Sequence, residues 1–281
     1  MNIIDILKNR ELTNYPKRIF FGRGKQHEEY NWVNIDWYPP YIYIESFDES
    51  KSVNEIINFY QDSYEVITSN DKNGEYETIV NENETFFKIS LGRNKNTGLF
   101  LDSAPLRSWI SKHSKNKKIL NLFSYTCTLG AVAMKSGAHS CMNVDMSQSS
   151  LNRGKSNYKL NELEVKNIDF QKKNILKSLN YFSKKDPFDI IIIDPPPRQA
   201  KSFYYKKDYI KILKRVESWS HKNTTIVLTK NDTLITEEVF IGWLHENTSL
   251  KILDKLFAPK YFEWKNTTEQ IHFYICGYTN E

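Results

Sequence analysis

One stretch of this chain constrains its fold more than any other, because several changes of residue pattern follow one another within it. A short apolar run predicts a buried strand, small polar residues predict a turn, and apolar residues at helical spacing predict a helix that a glycine ends. A second apolar run follows and ends in an acid. The five parts are, in order, Lys118–Phe123, Ser124–Thr128, Leu129–Gly137, Ser140–Val144 and Asp145. This order of elements is that of a βαβ unit, and it predicts an α/β fold.

The turn and the acid of this unit have a chemistry of their own. Backbone N–H groups in such a turn can approach a ligand closely, and the start of the helix adds a partial positive charge. An acid about 20 residues further on can accept hydrogen bonds from both hydroxyls of a ribose, which makes Asp145 a candidate for binding a nucleotide cofactor. The alternative is that Asp145 only caps the helix that starts near Ser147. The turn lacks the G-x-G-x-x-G pattern, which argues against a dinucleotide.

A second stretch strengthens the nucleotide-site interpretation. Phe188–Ile193 is an almost continuous apolar run, which is typical of a central parallel strand covered on both faces. It ends in Asp194–Pro197, whose prolines fix a rigid turn and remove N–H donors. Asp194 is then expected at the carboxyl end of a central strand, where open α/β sheets place their binding sites. We expect Asp145 and Asp194 to end adjoining strands. The alternative is a proline-rich loop on which Asp194 is merely exposed.

These motifs carry a family resemblance. The segments N-L-F-S-Y-T-C at Asn121–Cys127 and D-P-P-P at Asp194–Pro197 resemble those of class I S-adenosylmethionine-dependent methyltransferases. Within that class the chain is similar to the bacterial 23S rRNA methyltransferase family, because Gly92–Asp102 and Asn143–Ser147 also match. The similarity is strong over roughly residues 90–200. It implies a Rossmann-like seven-stranded sheet that is mostly parallel, with the last strand antiparallel, and a smaller mixed α+β domain before it.

The resemblance also implies the site residues and the cofactor, S-adenosylmethionine. Asn174 stands where the family usually has an acid near the adenine amine, and its amide oxygen can accept the same hydrogen bond. Asp102 has an alternative role as a helix cap. The catalytic positions are Asp194, Pro195 and Pro196, and no metal is expected. The cofactor contacts are Asn96, Asp102, Phe123, Ser124, Tyr125, Thr126, Asp145, Met146, Asn174 and Asp194.

Strand-forming and helix-forming runs before residue 91 predict the smaller α+β domain, so we divide the chain into residues 1–91 and 92–281. The resemblance implies that the first domain positions an RNA substrate, although residues 26–95 are acidic. Lys17–Lys25 interleaves basic and aromatic residues. This pattern suits stacking of a single-stranded base, but we favour the alternative, a solvated loop with Phe20 and Phe21 tucked into the core.

Composition agrees with a soluble enzyme. No run of about 18 apolar residues occurs, and the N-terminus lacks a secretory leader pattern, so we expect a cytoplasmic protein that does not enter a membrane. Three cysteines without C-x-x-C spacing indicate a reducing compartment and no structural zinc. The net charge of +5 is uneven: residues 1–95 carry 11 basic and 16 acidic side chains, and the remainder carries the basic surplus.

A basic surplus attracts phosphates, although many basic proteins never bind nucleic acid. The predicted helix Tyr204–Trp219 has a basic face just after the D-P-P-P loop. Solvation alone explains such a face in most helices. Our candidates for contact with RNA are Arg107, Lys206, Lys207 and Lys211, and Arg107 has the alternative of pairing with a carboxylate.

Which atom of a base can accept the methyl group depends on whether the protein supplies a thiolate nucleophile. An exocyclic amine on a base attacks the methyl carbon directly, whereas carbon 5 of a pyrimidine needs a thiolate to add at carbon 6 first. Relatives with carbon-5 chemistry place a cysteine after the fifth strand, where this chain has Thr229-Lys230-Asn231. Cys127 lies in the cofactor turn and is a poor nucleophile candidate. We therefore favour an exocyclic amine over cytosine carbon 5, on a base that is unpaired or flipped.

The expected partner is rRNA or a ribosomal subunit precursor, and the sequence leaves the oligomeric state open between a monomer and a homodimer. Two other functions remain open from the sequence. One is a methyltransferase for a small molecule or a protein, against which the uneven basicity argues mildly. The other is an RNA-binding module that kept the fold and lost catalysis, as the departures at Cys127, Asn174 and Pro197 allow.

Overall fold

The structure is a computed structural model, and it describes residues 2–71, 74–92, 96–197, 203–262 and 264–278. The chain forms two compact units. The first contains Met1–Ala104 together with Pro259–Thr267, and the second contains Pro105–Ala258 together with Thr268–Glu281. The division into domains of residues 1–91 and 92–281 stays a prediction.

Within its described residues, the first unit contains a four-stranded sheet, a hairpin and two short α-helices. The sheet has the order β1-β2-β3-β4, and the hairpin pairs β5 with β6. Its elements are α1 Ile3–Leu7, β1 Lys17–Phe21, β2 Val33–Tyr38, β3 Tyr41–Ser46, α2 Asn54–Tyr60, β4 Glu65–Thr68, β5 Glu75–Glu82 and β6 Thr85–Gly92. Apolar side chains of α1, α2 and the sheet form one buried cluster, which includes Ile6, Ile35 and Ile56.

The first half of the Lys17–Lys25 stretch is strand β1, paired antiparallel with β2, so the expectation of a loop is wrong there. Phe20 is buried, as the loop alternative required, and Phe21 is half-buried. The Arg18 guanidinium makes two hydrogen bonds of 2.7 and 2.9 Å to the Asp36 carboxylate. Because this charge is half-buried and paired with Asp36, it does not serve as a free phosphate ligand.

The segment Pro259–Thr267 packs onto β1 of the first unit. The Phe21 ring lies 5.4 Å from the Phe262 ring and 5.2 Å from the Trp264 ring. The backbone N–H of Lys265 donates to the carbonyl of Gly24 at 2.6 Å. A segment distant in sequence therefore completes the aromatic packing on this strand.

The second unit is built on a seven-stranded sheet of order β12-β13-β11-β10-β7-β8-β9. All neighbouring strands from β11 to β9 pair in parallel, and β13 is antiparallel to both β11 and β12. The strands are β7 Lys118–Leu122, β8 Ser140–Asp145, β9 Ile168–Lys172, β10 Phe188–Ile193, β11 Ser220–Lys230, β12 Lys251–Phe257 and β13 His272–Gly277. The fold class expected from the sequence, a Rossmann-like sheet with one antiparallel strand, is confirmed.

One helix, α3 Ala104–His113, precedes the first strand of this sheet, and the other helices connect successive strands, as parallel pairing requires. The connecting helices are α4 Thr128–Lys135, α5 Gln148–Leu160, α6 Leu179–Phe182, α7 Tyr205–Val216 and α8 Glu237–Asn247. The apolar core is centred on β10, whose side chains from Ile190 to Ile193 are all at most 2% exposed. Strand β10 is the fourth of the seven strands, and both faces of its apolar run are covered. Packing on both faces therefore holds its carboxyl end in place.

Within the described residues, none of the helices combines the length and the apolar character that crossing a lipid bilayer requires.

Candidate functional site

The turn after β7 has a strained backbone. Phe123, Tyr125 and Cys127 have φ values of 57°, 48° and 57°, in the left-handed region that favours glycine. Backbone strain of this kind persists where surrounding contacts fix it, and it is concentrated at functional sites. Here the N–H of Ser124 donates to the carbonyl of Val144 at 3.0 Å, which holds the turn against the end of β8.

The Asp145 carboxylate is bound to both sides of this corner. One oxygen accepts from the N–H of Tyr125 at 2.9 Å, and the other accepts from the N–H of Ser147 at 2.8 Å. Ser147 in turn caps α5 by accepting from the N–H of Ser150. Asp145 therefore fixes the turn and the start of α5 together. A carboxylate has about four acceptor positions, so two hydroxyl groups of a ribose can still donate to it.

Asn174 follows the end of β9, the strand that pairs with β8. The N–H of Lys173 donates to the carbonyl of Asp145 at 3.0 Å, which ties the end of β9 to the end of β8. The Asn174 side-chain oxygen accepts from the N–H of Lys177 at 3.1 Å and caps a short 3-10 turn. Met146, beside Asp145, leaves 47% of its apolar side chain exposed. An acceptor amide and an uncovered apolar side chain suit an adenine ring, so these residues fit the nucleoside part of S-adenosylmethionine.

Helix α5 supports the turn from behind. The Asn157 side-chain amide donates to the carbonyl of Thr126 at 2.9 Å, and the Arg153 guanidinium donates to the Tyr125 hydroxyl at 3.4 Å. A Cβ at Gly154 would lie 2.5 Å from the Cys127 sulfur, so the glycine lets α5 approach the turn. None of the sequence motifs indicated the hydrogen bond from Asn157.

The second motif forms the loop after β10. Asp194 and Pro196 are half-buried, Pro195 is buried and Pro197 is exposed. The Asn231 side-chain amide donates to the carbonyl of Pro195 at 2.8 Å. Burial raises the pKa of the Tyr205 phenol, and the negative charge of Asp194 acts in the same direction. Tyr205 and Asn231 were not among the sequence candidates, because no motif marks them.

One aromatic contact links the two motifs. The Phe123 ring lies 5.3 Å from the Phe203 ring, with an edge-to-face orientation. Phe203 follows the D-P-P-P loop and is 3% exposed. The turn after β7 and the segment after β10 are therefore held together through the core of the unit.

The placement of the two acids corrects one expectation. We expected Asp145 and Asp194 to end adjoining strands, but β7 lies between β8 and β10 in the sheet. The candidate site therefore spans three strand ends, with the strained turn in the middle. The register aligns these ends, because Leu122 pairs with both Val144 and Ile193.

The side chain at the position of the cysteine in carbon-5 relatives faces away from the loop. Lys230 is fully buried, and its ammonium donates to the carbonyls of Thr268 at 2.9 Å and Gln270 at 3.3 Å. Burial lowers the pKa of this ammonium. The Cys127 thiol is 0% exposed, and burial raises its pKa, so it is a poor nucleophile.

The remaining candidates lie in different settings. Lys206, Lys207 and Lys211 are exposed on α7, and the Lys211 ammonium lies 2.7 Å from the Asp208 carboxylate. Arg107 is only 2% exposed on α3, a burial that does not favour the predicted RNA contact. Asn96 and Asp102 belong to the first unit, and their cofactor role stays a prediction. Residues 93–95 of the matching Gly92–Asp102 segment lie outside the described residues.

Known proteins that are similar to this chain are methyltransferases. The family model of S-adenosylmethionine-dependent methyltransferases matches residues 60–271. Ribosomal RNA large subunit methyltransferase K/L of Colwellia psychrerythraea is 30% identical over 82% of this chain and 35% of its own length. Ribosomal RNA large subunit methyltransferase I of Aeromonas salmonicida is 36% identical over 42% of this chain and 30% of its own. YwbD of Bacillus subtilis, whose name also refers to a ribosomal RNA large subunit methyltransferase, is 26% identical over 88% of this chain and 69% of its own length.

This chain thus spans about a third of the length of two of these curated relatives. Among solved structures, a protein of Streptococcus mutans described as a SAM-dependent methyltransferase superposes with a TM-score of 0.83 at 20% identity, covering 99% of this chain and 82% of that one. A methyltransferase solved with SAH gives a TM-score of 0.81 at 21% identity, covering 93% and 75%. At these identities the likeness shows the fold.

The family model covers both motifs, and the resemblance read from those motifs is confirmed by the relatives that match. The chain belongs to the family of S-adenosylmethionine-dependent methyltransferases.

Proposed function

We propose that this protein transfers a methyl group from S-adenosylmethionine to an exocyclic amine of a base in large-subunit rRNA. The observation that carries the proposal is the meeting of the strained turn, Asp145 and the Asp194 loop at three aligned strand ends. The rRNA substrate is inferred from the names of the curated relatives.

The cofactor is assigned to the corner that Asp145 organises. Asp145 would accept from the ribose hydroxyls, Asn174 from the adenine amine, and Met146 would cover the ring. The rest of the cofactor would lie against the backbone of the turn, formed by Phe123, Ser124, Tyr125 and Thr126. Asn96 and Asp102 are proposed cofactor contacts on the basis of the sequence resemblance alone.

The bound cofactor supplies an electrophilic methyl carbon on a sulfonium. The residues of this chain then align the acceptor, exclude water and take one proton. Asp194 would accept a hydrogen bond from the amine and orient the nitrogen lone pair towards the methyl carbon. The C–N bond would form as the bond between the methyl carbon and sulfur breaks, with that electron pair staying on sulfur. The nitrogen would then lose one proton to the Asp194 carboxylate. Pro195 and Pro196 restrict the backbone beside Asp194, and they keep the carboxylate in place.

An amine is favoured over carbon 5 because the structure presents no thiol to the loop. All three cysteines are buried, and the side chain at the cysteine position of carbon-5 relatives is Lys230, which points to Thr268 and Gln270. Addition at carbon 6 of a pyrimidine needs a thiolate. The direct attack of an amine needs only the Asp194 carboxylate and a well-placed acceptor.

RNA recognition would use the basic surface of α7 and residues 1–91. Lys206 and Lys207 are exposed on the helix that follows the Asp194 loop, so phosphates bound there would place a flipped base near that loop. The first domain would help to position the RNA. Because that domain is acidic, it would need a local basic patch to bind phosphates.

Cofactor binding tests the first part of the proposal. Calorimetry with S-adenosylmethionine should give a Kd on the order of micromolar, and Asp145→Ala should abolish measurable binding. Asp186→Ala is the matched control, because the Asp186 side chain is 97% exposed on the same unit. A rise in melting temperature with S-adenosylmethionine but not with NAD would also support the assignment of the cofactor. No binding by the wild type would overturn the proposal.

The substrate is tested by mass spectrometry of rRNA nucleosides from cells with and without the gene. A methylated amine that disappears with the gene, and returns with the wild type but not with Asp194→Ala, supports the proposal. Loss of 5-methylcytidine would contradict the amine. Cofactor turnover on metabolite or protein pools free of ribosomes would favour the small-molecule or protein alternative. Cofactor binding without turnover on any RNA would indicate a binding module.

A further inference from the structure

Asn231 lies at the end of β11 and reaches the loop that carries Asp194. Its side-chain nitrogen lies 2.8 Å from the carbonyl oxygen of Pro195. A carbonyl only accepts hydrogen bonds, so this contact fixes which end of the amide is the nitrogen. The nitrogen of Asn231 therefore faces the loop, and its oxygen faces the other way.

The loop needs a donor from elsewhere. Pro195, Pro196 and Pro197 have no N–H groups, so this run offers carbonyl oxygens only and cannot anchor itself through its own donors. Asn231 supplies a donor to the first of these carbonyls. The orientation of the peptide next to Asp194 thus depends on a side chain from the neighbouring strand.

Asn231 is itself firmly held. Its backbone N–H donates to the Tyr205 hydroxyl at 3.2 Å, and that hydroxyl donates to the carbonyl of Thr229 at 2.8 Å. The Tyr209 hydroxyl lies 3.2 Å from the same carbonyl and 3.4 Å from that of Ile193. The Tyr209 hydroxyl therefore links the end of β11 to the end of β10, directly before Asp194, and the Tyr205 hydroxyl holds the backbone at the end of β11.

The amide is costly for stability at this position. The side-chain oxygen of Asn231 and the hydroxyl of Thr229 are buried and have no hydrogen-bond partner among the described residues. An unsatisfied buried polar group destabilises a fold, and each such group calls for an explanation. The explanation that the geometry offers is the bond to Pro195, because the other end of the amide contributes no bond.

We propose that Asn231 is a positioning residue that fixes the Pro195 carbonyl and thereby presents the Asp194 carboxylate to the accepting amine. The proposal rests on the proposed function. The neighbouring Lys230 has no part in this role, because its ammonium is bound to the carbonyls of Thr268 and Gln270.

The test compares Asn231→Asp with Asn231→Ala over a range of pH, using labelled S-adenosylmethionine and transcribed large-subunit rRNA. An ionised aspartate repels the Pro195 carbonyl, so kcat at pH 8 should fall about a hundredfold, as a misplacement of about 1 Å can cause. The KM for RNA and the Kd for cofactor should change less than about twofold, since uniform binding is not affected. Asn223→Asp is the matched control, because Asn223 is exposed at the other end of β11.

A protonated aspartate can donate to the carbonyl again. The ratio of kcat for Asn231→Asp to kcat for Asn231→Ala should therefore rise as the pH falls from 8 towards 5. A flat ratio, or an effect equal to that of Asn223→Asp, would overturn the proposal. So would a loss of cofactor binding that matches the loss of kcat, since that result shows a structural role only.

A second measurement does not need a substrate. The melting temperature of Asn231→Asp relative to Asn231→Ala should fall as the pH rises, because the aspartate is bound to the carbonyl only when protonated. A wild type that methylates no rRNA would refute the proposed function, while the melting comparison still decides whether residue 231 holds the loop. A pH-independent difference in melting temperature would overturn the bond itself.

Discussion

At the residue scale, Gly130 in α4 has no room for a side chain. A Cβ there would lie 2.3 Å from the Asn143 side-chain oxygen and 2.5 Å from the Tyr158 hydroxyl. These two groups belong to a buried chain of hydrogen bonds, because the Asn143 amide nitrogen donates to Tyr158 at 2.9 Å and Asn121 donates to the Asn143 oxygen at 3.0 Å. A methyl group would have to displace this network.

We predict that Gly130→Ala lowers the free energy of unfolding by about 1–3 kcal/mol, through overpacking. The control is Gly242→Ala in α8, where nothing lies within 4 Å of the added Cβ. That substitution should raise the free energy of unfolding by about 0.5–1 kcal/mol, since alanine favours a helix. Urea denaturation followed by circular dichroism measures both changes. Equal effects of the two substitutions would show that the contacts at Gly130 are irrelevant.

The residue scale is also where prediction from sequence reaches its limit. The sequence places Asp145 at a strand end, and it leaves open whether the carboxylate caps a helix or binds a ribose. The structure shows it bonded to both Tyr125 and Ser147 with acceptor positions left over, so the two roles are compatible. Side-chain directions such as those of Lys230 and Asn231 depend on packing between distant elements, which no local pattern encodes.

At the element scale, prediction succeeded where burial is strong. Phe188–Ile193 is strand β10 with the bounds expected, because a run of apolar residues covered on both faces has no other stable conformation in this fold. The stretch at Lys17 misled us because its basic residues suggested a loop, whereas pairing with β2 makes Lys17–Phe21 a strand. The return of Pro259–Thr267 to the first unit depends on contacts across the chain, and it was not foreseen.

The start of β13 gives an element-scale prediction about pH. His272 leaves 4% of its side chain exposed. Burial, with the positive charge of Lys255, lowers the pKa of His272 from 6.5 to about 4, although Glu237 acts in the opposite direction. Because the unfolded chain binds a proton below pH 6.5 and the folded chain does not, stability should fall as the pH drops from 6.5 to 4.

The full effect of this shift is about 3 kcal/mol. His272→Gln carries no titratable group, so its free energy of unfolding should decrease less than that of the wild type over the same interval. Urea titrations at pH 7 and pH 5 measure the difference. Equal slopes for the two proteins would mean that His272 titrates normally in the folded state.

At the scale of the whole molecule, charge is divided along the chain. Residues 1–95 carry 11 basic and 16 acidic side chains, although the protein as a whole has a net charge of +5. Non-specific attraction to RNA is therefore expected from the later part of the chain, and the exposed lysines of α7 are its strongest candidates. Composition predicts this imbalance without a structure, but the structure is needed to separate lysines that are free to bind from those with a carboxylate partner.

That separation can be measured through the salt dependence of RNA affinity. Each phosphate contact with single-stranded RNA contributes about 0.7 to the slope of log K against log salt concentration. Lys206→Gln and Lys207→Gln should each reduce the slope by about that amount, whereas Lys211→Gln should reduce it less, since the Lys211 ammonium is already 2.7 Å from Asp208. Lys112→Gln, exposed on α3, is the control with the same change of charge. Fluorescence anisotropy of a labelled rRNA fragment between about 50 and 200 mM salt gives the slopes. If Lys112→Gln changes the slope as much as Lys206→Gln, the attraction is a property of net charge and α7 is not the RNA-binding surface.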